Sequence, residues 1–268
     1  MSIERSVRVR VAGLEFSCVL RGDAGEGLPL VLCNGIGAHH EVLRPLAVAL
    51  DPIPSVRFDV PGVGASSVPP VPLPFPVLAT LVGRLLTRLG HERFDVLGLS
   101  WGGGLAQQIA LQHPRRCRRI VLAATATGVL MIPANPRVLR HLLTPGRHRD
   151  PEHALSIAGE IYGGVMRDHP ELAARLLAAS DRPPSRRGYL YQLLTGAGWS
   201  SLPALPFIRQ RTLIIAGRDD PIVPLANAYV MERLLPRARL HVVDDGHLAL
   251  ITQADALGSA VSEFLREP

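Results

Sequence analysis

Lysine is absent from this 268-residue chain: all 29 basic residues are arginine, set against 23 acidic ones, and the net charge is +6. Aromatic residues are scarce, at 4%. A basic balance raises nucleic acid as a partner, but so few stacking side chains and no basic recognition helix lead to an expectation of no nucleic acid. The densest cluster, Arg115-Arg116-Cys117-Arg118-Arg119, falls at a helix-to-strand turn and reads as a solvated surface. Its other reading is attraction to an anionic granule or membrane surface. Cysteine is nearly absent too. Cys18, Cys33 and Cys117 are odd in number and far apart, and each lies in an apolar strand-like run. That excludes a disulfide framework and zinc spacing, and points to free buried thiols in a reducing compartment. No stretch approaches the roughly 18 uninterrupted apolar residues of a membrane span, so no transmembrane segment is expected. Residues 1–10 alternate apolar and charged side chains like a first strand and lack the apolar core of a signal peptide. The expected location is therefore cytoplasmic. No His-x-x-x-His or Cys-x-x-Cys pair occurs, nor a glycine loop of the dinucleotide-binding kind, so neither metal nor cofactor is expected.

What is present is a sizeable apolar fraction, 47%, enough for one large α/β core with an insertion. Strand-like runs recur at 7–11, 16–20, 30–33, 56–58, 94–99, 120–123, 212–216 and 240–243. The later ones are almost continuously apolar, as parallel strands covered on both faces must be. Helix-like segments at 43–50, 77–89, 105–112, 225–235 and 254–265 alternate with them. Two antiparallel-looking strands followed by βα alternation predict an α/β fold with a mostly parallel, doubly wound, eight-stranded sheet. The alternation breaks between about Thr125 and Pro206, a stretch helical in pattern and far too long for a plain connection. It is expected to be a helical cap, residues 125–206, inserted into a core made of residues 1–124 and 207–268. The proline-rich run Pro69–Pro74 reads as a stiff surface loop.

Gly98-Leu99-Ser100-Trp101-Gly102 carries the chemistry. Gly-x-Ser-x-Gly between an apolar strand and a helix is the nucleophile elbow of the α/β-hydrolase fold, a turn so tight that only small residues fit two before and two after the serine. A seryl hydroxyl is a poor nucleophile at neutral pH and needs a base, itself oriented by a carboxylate. In this fold the acid and then the histidine follow the serine in the chain. After the expected cap comes Leu213-Ile214-Ile215-Ala216-Gly217-Arg218-Asp219-Asp220-Pro221-Ile222-Val223-Pro224, an apolar strand running into a turn with two carboxylates. In α/β-hydrolases the acid typically lies three residues past the strand-ending glycine and four before a proline, so by that resemblance Gly217 and Pro224 both point to Asp220 and leave Asp219 as a turn or surface carboxylate. Asp245-Gly246-His247-Leu248 then leaves the last strand, which makes His247 the base. The oxyanion needs two N–H donors. Trp101, directly after the serine, supplies one, and Ile36 in Asn34-Gly35-Ile36-Gly37 the other. Asn34, Gly35, Met131, Ile132 and Leu248 are the candidate substrate-binding residues. The loop Asp59–Ser67 reads as scaffold beside the site.

These segments together make the chain resemble the intracellular medium-chain-length polyhydroxyalkanoate depolymerases of the α/β-hydrolase superfamily. The likeness rests on Asn34–Ala38, Phe58–Gly64, Ser100–Gly103 running on through Gln108, and Val121–Ala126. It resumes at Ile161-Tyr162-Gly163-Gly164, Asp219–Pro224 and Asp245–Leu248. The chain departs at Ala65, where glycine is expected, and across the cap from Met131 to Arg187. The resemblance implies a serine esterase with Ser100, Asp220 and His247 as its triad, no cofactor, and a polyester or hydrophobic ester as substrate, with a storage-granule surface as partner. The rival readings are a small-molecule carboxylesterase, lactonase or carbon–carbon bond hydrolase of the same fold, and a hydrolase-like binding protein that has lost catalysis.

Overall fold

Residues 2–22, 27–143, 150–173 and 185–268 are described by a computed structural model. Eight strands form one sheet: β1 (Glu4–Val11), β2 (Leu14–Arg21), β3 (Leu30–Cys33), β4 (Ser55–Phe58), β5 (Phe94–Leu99), β6 (Cys117–Ala123), β7 (Arg211–Gly217) and β8 (Ala238–Val243). Their spatial order is β1-β2-β4-β3-β5-β6-β7-β8. β1 pairs antiparallel with β2, and β2 with β4, while every later pairing is parallel. Each strand overlaps an expected apolar run. β3, β4 and β5 are buried at every position, the burial that a parallel sheet with covered faces imposes. The edge strand β8 instead alternates, and its outward positions include the exposed His241.

Helices cover both faces. α1 (Arg44–Ala49) lies on one face, while α2 (Phe75–Arg88) and α3 (Trp101–Gln112) pack on the other. In α2 the buried Phe75, Leu78, Val82 and Leu85 recur at helical spacing and form one stripe against the sheet. Among the described residues the stretch between β6 and β7 includes the helices α4 (Pro136–Leu142), α5 (Pro151–Tyr162) and α6 (Arg186–Ala197). Residues 144–149, with His148, and residues 174–184 of the expected cap lie outside the described residues. α7 (Ala226–Leu234) and α8 (Ala254–Arg266) complete the layers. α1 and α8 share the core of one face with α5, while α2, α3 and α7 bury the other. The connection from β3 to β4 runs over the first face, and the one from β4 to β5 over the second. This reversal opens a crevice at the carboxyl ends of β3 and β5, where open α/β sheets place their ligands. All three cysteines are free and buried, and burial pushes the Cys18 thiol up to about 12 and raises those of Cys33 and Cys117 well above the ordinary thiol value.

Candidate active site

Ser100 occupies the turn between β5 and α3 with φ 54° and ψ −119°, a backbone conformation that L-residues adopt only when their surroundings force it. The glycines around it are there for contact distance. A Cβ on Gly98 would come within 2.3 Å of the Gly102 carbonyl oxygen, and one on Gly102 within 2.2 Å of the Cys33 carbonyl oxygen. Gly103 is as constrained, since its Cβ would meet the Thr125 side chain at 2.3 Å. Thr125 in turn donates its hydroxyl to the Ser100 carbonyl oxygen at 2.7 Å, a bond shared with the Gly103 N–H at 2.8 Å. The strained turn is thus held from both sides.

The loop after β3 reaches the serine. A Cβ on Gly35 would lie 3.7 Å from the Ser100 Cβ. The N–H groups of this loop are almost all committed: Gly35 donates to Asn34 Oδ1 at 2.8 Å, Gly37 to Gln192 Oε1 at 2.8 Å and Ala38 to the Gly35 carbonyl at 3.2 Å. The Ile36 N–H is left without a partner among the described residues, as is that of Trp101 at the start of α3. Asn34 also donates Nδ2 to the His39 carbonyl at 2.6 Å, so its buried side chain shapes the loop.

His247 is buried, and its Nδ1 lies 2.8 Å from Asp220 Oδ2. The other carboxylate oxygen, Oδ1, accepts the N–H groups of Ile222 and Val223, each at 2.9 Å. With the carboxylate so anchored, Nδ1 carries the proton and Nε2 is the basic nitrogen. Ser100 and His247 line one cavity of about 110 Å³, together with Asn34, Gly35, Ile36 and Leu248. Ser100 also lines a second cavity, of about 180 Å³, walled by Phe75, Trp101, Met131, Leu139 and Trp199. Leu142 and Ile222 border both. The serine therefore stands between two apolar chambers. Ile132 lines neither; its backbone is clamped to Asn227 of α7 by bonds of 2.8 and 2.9 Å. Among the described residues no group of three His, Cys, Asp or Glu side chains is disposed to hold a metal ion.

The sequence profile of the alpha/beta hydrolase fold matches residues 29–254. The chain belongs to the α/β-hydrolase family. Over 240 residues this hydrolase is 47% identical to the poly(3-hydroxyalkanoate) depolymerase of Ectopseudomonas oleovorans, an alignment covering 89% of this chain and 84% of the other. The 2-hydroxymuconate semialdehyde hydrolase of Pseudomonas putida is 31% identical across 68% of this chain and 66% of its own length. Among solved structures, the enol-lactonase of Burkholderia xenovorans LB400 shares the fold with a TM-score of 0.84 at 24% identity, covering 97% of this chain and all (100%) of that one. The family and the depolymerase relative make the chain a hydrolase of the esterase type.

In this hydrolase the segment from Tyr162 to Arg167 packs against both the Asp219–Asp220 loop and the His247 loop. Gly163 and Gly164 both have positive φ, at 61° and 52°. A Cβ on Gly163 would lie 2.0 Å from the Asp219 carbonyl oxygen, and one on Gly164 would lie 2.1 Å from both Asp245 Oδ1 and the Gly246 nitrogen. The His247 N–H donates to the Tyr162 carbonyl at 2.7 Å, and the Tyr162 ring stacks on the imidazole with centroids 6.5 Å apart. Asp219 turns away from the site, accepting Arg167 Nε and Nη2 at 2.7 and 2.9 Å and the Gly164 N–H at 2.7 Å. The Arg167 guanidinium outweighs the effect of burial and holds the Asp219 carboxyl below its ordinary value. Burial raises Asp245, but bonds from Thr252, Val165, Gly246 and Gln253 lower it further than burial lifts it. Sequence reasoning missed Thr125, Gln192, Arg167 and Asp245 as site-shaping residues. The Tyr-Gly-Gly run was the one available signal, because paired glycines within a helical pattern mark a close backbone approach.

Proposed function

We propose that this hydrolase cleaves the ester bonds of a poly(3-hydroxyalkanoate), with Ser100, His247 and Asp220 as its triad. The substrate rests on one observation, the likeness to the E. oleovorans depolymerase along most of the chain. The site is consistent with it, since a polyester with apolar side chains needs apolar space on both sides of the scissile carbonyl, as the two chambers at Ser100 provide. His247 Nε2 takes the Ser100 proton as Oγ attacks, and Asp220 stabilises the imidazolium. The N–H groups of Trp101 and Ile36 hold the oxyanion in a desolvated site. The leaving hydroxyl takes the proton back from His247, and a water activated by the same nitrogen releases the 3-hydroxyacyl group.

Residues 125–206 act in this proposal as a cap over a core of residues 1–124 and 207–268, with Met131 contributing to the acyl chamber. Val129, Leu130, Leu190 and Leu194 of this stretch are each at least half exposed, from 50% to 61%, and give it an apolar outer surface for contact with a storage granule. No helix among the described residues is long and apolar enough to cross a membrane. Three unpaired buried cysteines suit a reducing cytoplasm.

The test is hydrolysis of medium-chain polyester particles beside a panel of soluble esters, with Ser100→Ala as control and an active-site phosphonate as label. Release of 3-hydroxy acids by the wild type alone is the expected result. Brisk cleavage of soluble esters with no product from the polymer overturns the substrate. Failure of the phosphonate to label Ser100 overturns the mechanism.

A further inference from the structure

At the edge of the sheet opposite Ser100, an open groove of about 630 Å³ runs along the amino-terminal ends of the parallel strands. Seven of the chain's 29 arginines line it, with Glu267 as the one acidic side chain, which leaves 22 residues of each sign elsewhere. The net charge of the molecule is gathered here. Arg118, Arg119 and Arg211 are engaged, the first with Asp95 at 2.5 Å and the others with backbone carbonyls among Leu265, Glu267 and Pro268. The remaining four are Arg93, Arg115, Arg209 and Arg237. All are exposed, and none of their guanidinium groups has an ion-pair or hydrogen-bond partner among the described residues.

Their placement is regular. Arg93 stands one residue before β5, Arg115 two before β6, Arg209 two before β7 and Arg237 one before β8. These strands are consecutive neighbours in the sheet. At about 4.8 Å between strands, the four backbone positions span about 14 Å, and all four side chains line the one groove. Arginine's planar fork suits phosphate oxygens, and a row suits a linear polyanion better than a single phosphate. Phe207, 70% exposed, also lines the groove and offers a bare aromatic face beside the row. A positively charged track with an aromatic platform is how single strands are bound without regard to sequence. A lipid surface fits less well, because the track is concave.

We propose that this groove binds single-stranded nucleic acid, phosphates on the four arginines and a base on Phe207. No recognition helix is required, which is why inspection of the sequence leads to the opposite expectation: four separate loops each contribute one arginine.

Fluorescence anisotropy with a labelled oligothymidylate of about 12 nucleotides tests it. Four phosphate contacts on a single strand predict a binding constant that falls about 50-fold between about 50 and about 200 mM salt. Replacing all four arginines by alanine should weaken binding at least tenfold and flatten that dependence. Each single replacement should lower the salt slope by about 0.7. Alanine at Arg5, Arg84, Arg88 and Arg233, which removes equal charge elsewhere, should leave binding intact. Phe207→Ala should cost about 5- to 150-fold, the equivalent of one stacked base. Unchanged hydrolysis of a soluble ester verifies that each variant is folded. The proposal is overturned by absence of binding, or by equal losses in the two four-arginine variants. It is also overturned if Phe207→Ala has no effect while inorganic polyphosphate or phosphatidylglycerol vesicles compete as well as the oligonucleotide.

Discussion

Adjacent aspartates, Asp219 and Asp220, have opposite employment because consecutive residues in a tight turn point apart. One carboxylate meets His247 at 2.8 Å and the other meets Arg167 at 2.7 Å. Asp220→Asn should keep the fold yet lower kcat about 10⁴-fold, by favouring the wrong imidazole tautomer. Kinetics on a soluble ester with a parallel melting curve check this; a loss shared by Asp219→Asn at the same magnitude would remove the distinction. The elbow glycines sort by what their missing Cβ would strike. Gly102→Ala drives a methyl into the β3 backbone at 2.2 Å, whereas Gly104→Ala meets only the Phe75 and Trp199 rings at 3.1 Å. The first should lose about 1–3 kcal/mol of stability and the second clearly less, as read by chemical denaturation.

Between elements, the stretch from β6 to β7 is fastened to the rest of the fold at points beside Ser100 and His247. Gln192 on α6 accepts the Gly37 N–H through its side chain and Trp101 Nε1 through its backbone, at 2.8 and 2.9 Å. Gln192→Leu leaves a buried loop N–H without an acceptor, at a cost of about 1–3 kcal/mol. It should lower kcat more than it changes KM, because the loop that carries the Ile36 N–H is loosened while the chambers stay. Asp245 ties the segment after Gly164 to the histidine loop, and its folded pKa lies below the unfolded one. Its stabilisation is therefore complete above the unfolded value, near pH 4, and is lost as pH falls through the folded value. Asp245→Asn presents an amide donor toward Thr252 and Gln253, which are themselves donors to Oδ2. The variant should melt below the wild type at pH 7, with the gap narrowing once pH drops under about 4.

For the molecule as a whole, two surfaces differ in kind: apolar side chains are exposed on the stretch between β6 and β7, and unpaired arginine side chains at the amino-terminal ends of the parallel strands. Changing Leu130, Leu190 and Leu194 together to serine should leave soluble-ester hydrolysis unchanged and reduce activity on polymer particles about tenfold or more, given the apolar area withdrawn from the contact. Equal losses on both substrates would place those leucines inside the fold's own packing instead. The sequence alone determined what is local. Strand and helix runs follow from apolar periodicity, and the elbow from glycine spacing around Ser100. The spacing of Gly217 and Pro224, read on the α/β-hydrolase pattern, points to Asp220 rather than Asp219, and Asp220 is the one that meets His247. Only the tertiary structure decided which distant groups meet. It set Thr125 on the Ser100 carbonyl, Gln192 on the loop after β3 and Tyr162 on His247, held Ile132 on Asn227, and brought four arginines from four loops to one groove. The reason is physical: a backbone pattern repeats over a few residues and is written in the chain, whereas sheet order brings together residues a hundred positions apart, through packing no short window contains.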